Sequence, residues 1–280
     1  MILRPLLSLA LLGGLASSAA LAAGGADGGP ASGSRLEMAL TLYAGGITLG
    51  KADMDATISG NDYRVVSNLT TSGVVNAFWQ SEIQATSSGK LGNKSFSPAL
   101  YNSFYTGRND RKQEVSLTYE NAQPRLYANP TYSTTGFEVA PDQQKATLDP
   151  LSAVLMITSG VMADANNPCT YTAPVFDGRR RYDLVITKVK DTNIALDNGL
   201  YRGKAVQCLV KYKQVAGFRP TVTARKPVPD INMVVASVPS TIAGRSYVVP
   251  LRVWSDTPFG PISIVATSVK VDGATIKSPG

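Results

Sequence analysis

The chain has 280 residues, 27 Lys and Arg against 20 Asp and Glu, a formal net charge of +7, and no histidine. Without imidazole there is no Ser-His-Asp or Cys-His nucleophile system, and two cysteines alone cannot supply the four ligands of a structural zinc site. Charged residues are 17 % of the chain, below the roughly 25 % of an average soluble domain, which excludes a solvated disordered tail and a histone-like polycation.

Met1 to Pro5 carries one cation, Arg4, ahead of the apolar run Leu6 to Leu15 and the small residues Ser17 to Ala23. Ala20-Leu21-Ala22 fits the small-x-small rule for signal peptidase. The run falls short of the roughly 20 apolar residues of a membrane anchor. The expected organisation is a signal peptide over 1–22, a flexible Gly- and Ser-rich linker over 23–34, one β-rich domain over 35–272 and a tail over 273–280. The expected location is the periplasm, and no membrane-integral segment is expected. In that oxidising compartment Cys169 and Cys208 should form a disulfide. Closing their loop stabilises by about 4 kcal/mol in the chain-entropy model. A redox role would need Cys-x-x-Cys spacing, which the chain lacks.

From Ser34 the pattern has period two. Leu36, Met38, Leu40 and Leu42 alternate with Arg35, Glu37, Ala39 and Thr41, as in a half-buried strand. Further strands are expected at Ile47 to Ile58, Tyr63 to Leu69, Ser81 to Thr86, Lys94 to Thr106, Arg111 to Tyr119, Arg181 to Val189, Tyr201 to Tyr212, Ile231 to Val238, Tyr247 to Ser255 and Pro261 to Val271. Gly60-Asn61-Asp62, Ser87-Ser88-Gly89-Lys90, Asp177-Gly178 and Asp197-Asn198-Gly199 read as turns between them. Asp149 as N-cap and Pro150 at the first helical position open one helix that should stop near Gly160. Its residues Leu151 to Ile157 are apolar almost all round, so it should be buried. Val74 to Gln80 reads as a shorter helical turn.

Ser87-Ser88-Gly89-Lys90 also matches Ser-x-x-Lys, whose chemistry needs the serine at a helix N-terminus with lysine one turn on. Turn-forming residues between two strand patterns argue for a hairpin tip instead. Asp53-x-Asp55 lacks the remaining ligands, the glycine and the closing glutamate of a calcium loop. The loop cations Arg179-Arg180-Arg181 could hold phosphate or carboxylate. Alternation along a strand would instead turn at least one of them inward to pair with Asp177 or Asp183.

Asp149-Pro150-Leu151-Ser152-Ala153, the run Phe176 to Leu184 (FDGRRRYDL), Tyr201 to Cys208 (YRGKAVQC) and Ala216-Gly217-Phe218-Arg219-Pro220 together resemble an uncharacterised family of exported proteobacterial proteins, a domain of unknown function. The resemblance spans roughly 35–270. It implies a mainly β fold: an open, curled antiparallel sheet, half-barrel or β-spiral, around one buried helix near 149–160. That architecture is similar to the periplasmic lipoprotein carriers and the β-spiral envelope-integrity proteins.

The expected function is non-enzymatic: envelope maintenance, with a lipid, acyl chain or hydrophobic peptide held in the concave sheet. Leu151, Leu155, Met156, Met38 and Met54 are the candidate groove residues, and Arg179, Arg180, Arg181 and Arg219 the candidate anion-binding or structural arginines. No catalytic residue, cofactor or metal is expected, and no nucleic acid. A hydrophobic envelope component is the expected partner, with an anionic envelope surface beside it. Two alternatives are an envelope scaffold without ligand and a glycan hydrolase using two carboxylates about 5–10 Å apart. A membrane barrel is disfavoured because the chain has no terminal aromatic strand.

Overall fold

The computed structural model describes residues 33–72, 80–164, 167–223, 228–242, 245–257 and 260–276. The expected signal peptide, almost all of the linker and all but Gln80 of the expected helical turn over 74–80 lie outside them. Fourteen strands form one antiparallel sheet: β1 (Ser34–Ala44), β2 (Ile47–Ser59), β3 (Asp62–Thr71), β4 (Ser81–Gly92), β5 (Ser95–Gly107), β6 (Arg111–Glu120), β7 (Gln123–Asn129), β8 (Tyr171–Phe176), β9 (Arg181–Ala195), β10 (Arg202–Ala216), β11 (Ile231–Pro239), β12 (Ser246–Thr257), β13 (Gly260–Val271) and the short β14 (Ala274–Thr275). Helices α1 (Pro141–Gln144) and α2 (Pro150–Thr158) lie in the connection from β7 to β8.

The strand order is β7-β6-β5-β4-β3-β2-β1-β13-β12-β11-β10-β9-β8, with β14 on β13. Two meanders, one from each half of the chain, are therefore joined where β1 pairs β13, Leu36 against Val271 through Ala44 against Ile262. The edge strands β7 and β8 do not pair with each other, so the sheet is open. It is also strongly curled, because α2 packs against β3, β4 and β5 on one side of the strand order and against β12 and β8 on the other. A nine-residue helix can touch strands so far apart in the order only if the sheet wraps around it.

Alternation decides what faces the helix. In β1 Leu36 and Met38 are buried, as are Met54, Ala56 and Ile58 of β2 and Tyr63 and Val65 of β3. With Leu151 and Leu155 of α2 and Tyr247, Val249 and Leu251 of β12 they form one core. Each fully buried aliphatic side chain contributes about 1.5–3 kcal/mol. Asp149 caps α2 as its sequence context implies: one carboxylate oxygen accepts from Leu151 N at 3.0 Å and Ser152 N at 2.8 Å, with Pro150 at the first turn.

Three sequence expectations are corrected. Ser87 to Lys90 is no hairpin tip but the interior of β4, and the turn comes later, at Asn93-Lys94, where Lys94 has φ 51. The run is made of small residues because other groups crowd it. A Cβ on Gly89 would lie 2.7 Å from the Tyr63 hydroxyl, and Ser87 is buried beside α2. Strand β7 was absent from the sequence pattern, because its turn, Asn121-Ala122, takes positive φ at both residues (52 and 62) without a glycine to signal it. Finally, the fold continues past Asp272: β14 follows and Ile276 is buried in the core.

Candidate functional site

Three places on this scaffold bring chemistry-bearing side chains together. The first lies under the N-terminus of α2. The second carboxylate oxygen of Asp149 accepts from Ser152 Oγ at 2.5 Å and Ser87 Oγ at 3.0 Å, and the Tyr63 hydroxyl lies 2.6 Å from Ser152 Oγ. Burial raises the Asp149 carboxyl above its ordinary range, against the lowering effect of these hydrogen bonds. Burial also raises the Tyr63 phenol. The Ser-x-x-Lys match has no catalytic geometry here. Ser87 faces the interior, while Lys90 is exposed and pairs with Asp62 at 3.2 Å. The network satisfies buried polar groups and locks the helix to β3 and β4.

The second place is at the other end of α2. Gly160 has φ 71, and a Cβ there would collide with the Ser246 carbonyl oxygen, so the chain leaves the helix tight against β12. The segment that follows is tied to mid-β10 by the Cys169–Cys208 disulfide. Between this segment and β9–β12 lies a cleft of about 1230 Å³. Val206, Val235 and Val248 line it together with Lys188, Asp191 and Lys204. Beneath it the two cysteines pack with Ile186, Val210 and Met233. The disulfide thus fixes one wall of the cleft to its floor. The two acids of the cleft, Asp191 and Asp164, are in ion pairs with Lys188 at 2.8 Å and Lys94 at 2.5 Å.

The third place is the seam between the two edges of the sheet. Leu148 bridges β8 at Val175, with Leu148 N donating to Pro174 O and Phe176 N to Leu148 O, both at 2.8 Å. The turn after β8 then touches the other edge: a Cβ on Gly178, φ 90, would lie 2.9 Å from Leu126 and 3.0 Å from Val115. Asp177 Oδ1 accepts from the backbone N–H of Arg179 at 2.9 Å and of Arg180 at 2.6 Å, fixing the turn. Gly217, φ 82, leaves no room for a Cβ beside the Arg179 carbonyl. The FDGRRRYDL and AGFRP runs are therefore neighbours in space.

Here the arginines divide. Arg181 is structural: its guanidinium donates to Asp183 at 2.6 Å and to the Gln143 carbonyl at 3.2 Å. The other three each lie over an aromatic ring, Arg179 over Tyr132 at 5.7 Å, Arg180 over Phe218 at 5.9 Å and Arg219 over Phe137 at 5.8 Å. None of the three forms an ion pair among the described residues. The Arg179 Nε is buried without a hydrogen-bond partner. Burial raises the Tyr132 phenol, Asp177 adds to the rise, and Arg179 and Arg180 oppose it.

Leu151, Leu155, Met38 and Met54 lie together in the main core, whereas Met156 belongs to a separate cluster with Leu148, Ala153, Ala173 and Val175. Met38 and Met54 also line a shallow depression of about 320 Å³. Sequence reasoning missed the cleft residues Lys188, Val235 and Val248 and the ring partners Tyr132 and Phe137. The two rings were visible as lone aromatics in the polar stretch after β7, but nothing local tied them to arginines about 50–80 residues on. Among the described residues no helix is long and apolar enough to cross a membrane and no group of acids and cysteines is placed to hold a metal.

The fold of the described residues defines an open, half-barrel β protein wrapped on the buried helix α2. A family model described as "Protein of unknown function (DUF3108)" matches residues 38–267, and the chain belongs to that family. The crystal structure of a beta-barrel-like protein of domain of unknown function DUF1849 from Brucella abortus is similar in fold. Its TM-score is 0.53 at 12 % identity, covering 85 % of this chain and 97 % of that one. No curated protein matches the chain.

Proposed function

We propose that the protein is a non-enzymatic binding protein of the periplasm, exported by a cleaved signal peptide. It would act in envelope maintenance by holding an acyl chain or a similarly apolar segment. The observation that carries this reading is the cleft at the C-terminal end of α2. Its volume exceeds the 300–1,000 Å³ of ordinary small-molecule pockets, and three valines line it beside Lys188 and Lys204, the pairing of apolar and cationic groups that an amphiphile calls for. The disulfide suits an oxidising compartment. The likeness to lipoprotein carriers implied by the sequence resemblance agrees with an open, curled sheet and supports the reading by fold analogy alone. The hydrolase alternative is less favoured, because both acids of the cleft are engaged by lysines.

Native mass spectrometry of protein purified from the periplasm should show co-purifying lipid, and a fluorescent fatty-acid probe should bind the delipidated protein. Val206→Asp places a charge on the cleft floor and should weaken probe binding at least tenfold. Absence of both lipid and probe binding would overturn the proposal.

A further inference from the structure

We infer that the seam carries an anion site, formed by Arg179 and Arg180 with Tyr132, that takes a phosphate monoester or free phosphate group. The site is separate from the cleft and stands without the carrier reading, since the two lie toward opposite ends of α2.

Four observations lead to it. A cavity of about 190 Å³ is lined by Tyr101, Ser103, Tyr132, Asp177, Arg179 and Arg180 with one aliphatic residue, Val115. It is too small for an acyl chain and suits one compact polar group. Secondly, Arg179 Nε is buried with no acceptor. The Arg179 side chain is only partly buried, but a buried donor left unmet is unfavourable, and an anion oxygen drawn in beside it would satisfy it.

Thirdly, the two guanidiniums are already placed. Arg179 lies over Tyr132 and Arg180 over Phe218, cation–π contacts that position each side chain without using its hydrogen-bond donors. Two forks that approach from different directions suit the three terminal oxygens of a tetrahedral phosphate group, which lie out of one plane, better than the two coplanar oxygens of a carboxylate. Fourthly, the acid of the site does not cancel this charge. Asp177 is committed through Oδ1 to two backbone amides and is a single carboxylate facing two guanidiniums.

A larger cavity of about 540 Å³ shares Tyr132 and Arg179 with the small one and is also lined by Leu126, Tyr127, Glu138 and Phe176. It could receive the organic part of a monoester. The backbone is held for the task, because Gly178 and Gly217 both permit approaches that a Cβ would prevent.

Calorimetry at low ionic strength tests the assignment with two probes, inorganic phosphate and a short-chain phosphatidic acid below its micelle concentration. Phosphatidylcholine of the same chain length serves as control. Wild-type protein should bind phosphate, and Arg179→Gln should weaken binding at least tenfold. Arg180→Gln, at an exposed position, should weaken it at least threefold. Arg64→Gln removes the same charge from an exposed site on β3 and should change affinity less than twofold. If Arg179→Gln lowers the melting temperature, Arg179→Lys serves instead. It keeps the charge, loses the fork and should still bind at least threefold more weakly.

Phosphatidic acid binding tenfold tighter than phosphate would identify a lipid headgroup. Equal affinities would identify free phosphate. No binding of either probe, equal binding of phosphatidylcholine, or equal weakening by Arg64→Gln would overturn the site.

Discussion

Asp149 and Asp272 are both carboxylates held by hydroxyls and amides, yet their surroundings push them in opposite directions. Burial dominates at Asp149 and raises its carboxyl. At Asp272 burial also acts upward, but donors outweigh it: Ser240 Oγ at 2.6 Å, Arg35 N and Thr241 N at 2.8 Å and Thr241 Oγ1 at 2.9 Å hold the carboxyl well below its usual range. By linkage, the Asp272 contribution is present above the ordinary carboxylate pKa of about 3.9 and is lost as pH falls toward the lowered folded value. The Asp149 contribution has the reverse sign. It is fully present below that ordinary value and is lost as pH rises through the raised folded one. Urea unfolding between pH 2 and 7 should show Asp272→Asn losing most stability at neutral pH and least in acid. Asp149→Asn, which keeps a capping oxygen, should compare best with wild type near neutrality and worst in acid. Asp149→Ala also forfeits the cap, typically about 1 kcal/mol. The capping role was legible in sequence because cap and first turn are neighbours. The partnership with Ser87 was not, because a serine 62 residues away reaches the carboxylate only after the sheet has curled.

At the scale of elements, alternation located most strands to within a few residues and failed where a residue's local preference served a distant neighbour. Ser87 to Lys90 has turn composition because α2 and Tyr63 need small residues beneath them. The β6–β7 turn fails in the opposite way, being a tight turn without turn residues. Ala122 sits at φ 62, where a side chain costs roughly 1–2 kcal/mol. Ala122→Gly should therefore stabilise the protein by about 1 kcal/mol, against the usual entropic penalty of a new glycine. A higher melting temperature with an unchanged urea m-value would register the gain. The same logic makes the seam glycines Gly178 and Gly217 unreadable from composition, since what excludes a Cβ there is the opposite edge of the sheet or another loop.

At the scale of the molecule, the class of fold was accessible early, through strand spacing and through the resemblance carried by the DPLSA, FDGRRRYDL and AGFRP runs. The strand order was not, since the β1–β13 pairing joins opposite ends of the domain and no local pattern encodes it. Site geometry was the least legible part. Three of the four arginines singled out by sequence meet aromatic rings at the seam, whereas the cleft depends on the path of the chain after α2. The disulfide governs that path, so replacing both cysteines by serine should have two separable effects. Stability should fall by up to about 4 kcal/mol from the lost loop constraint. Fatty-acid probe binding should weaken even at temperatures where the variant remains folded, because the cleft wall is released from β10. Phosphate binding at the seam should persist in that same folded variant, which near-ultraviolet circular dichroism would monitor.

The pairing of β1 with β13 also bears on when the protein can fold. Strand β1 is the first of the sheet to leave the ribosome, and its partner on one side is nearly the last. Until β13 arrives, one side of β1 is an unpaired edge with Leu36 and Met38 uncovered, the kind of surface that recruits other chains. Pairings this distant in sequence also form slowly. Completion of the sheet therefore falls after synthesis of almost the whole domain, and a chain kept loose for that long is suited to the export proposed above. It would also need protection from its own neighbours until the final strands close on the first.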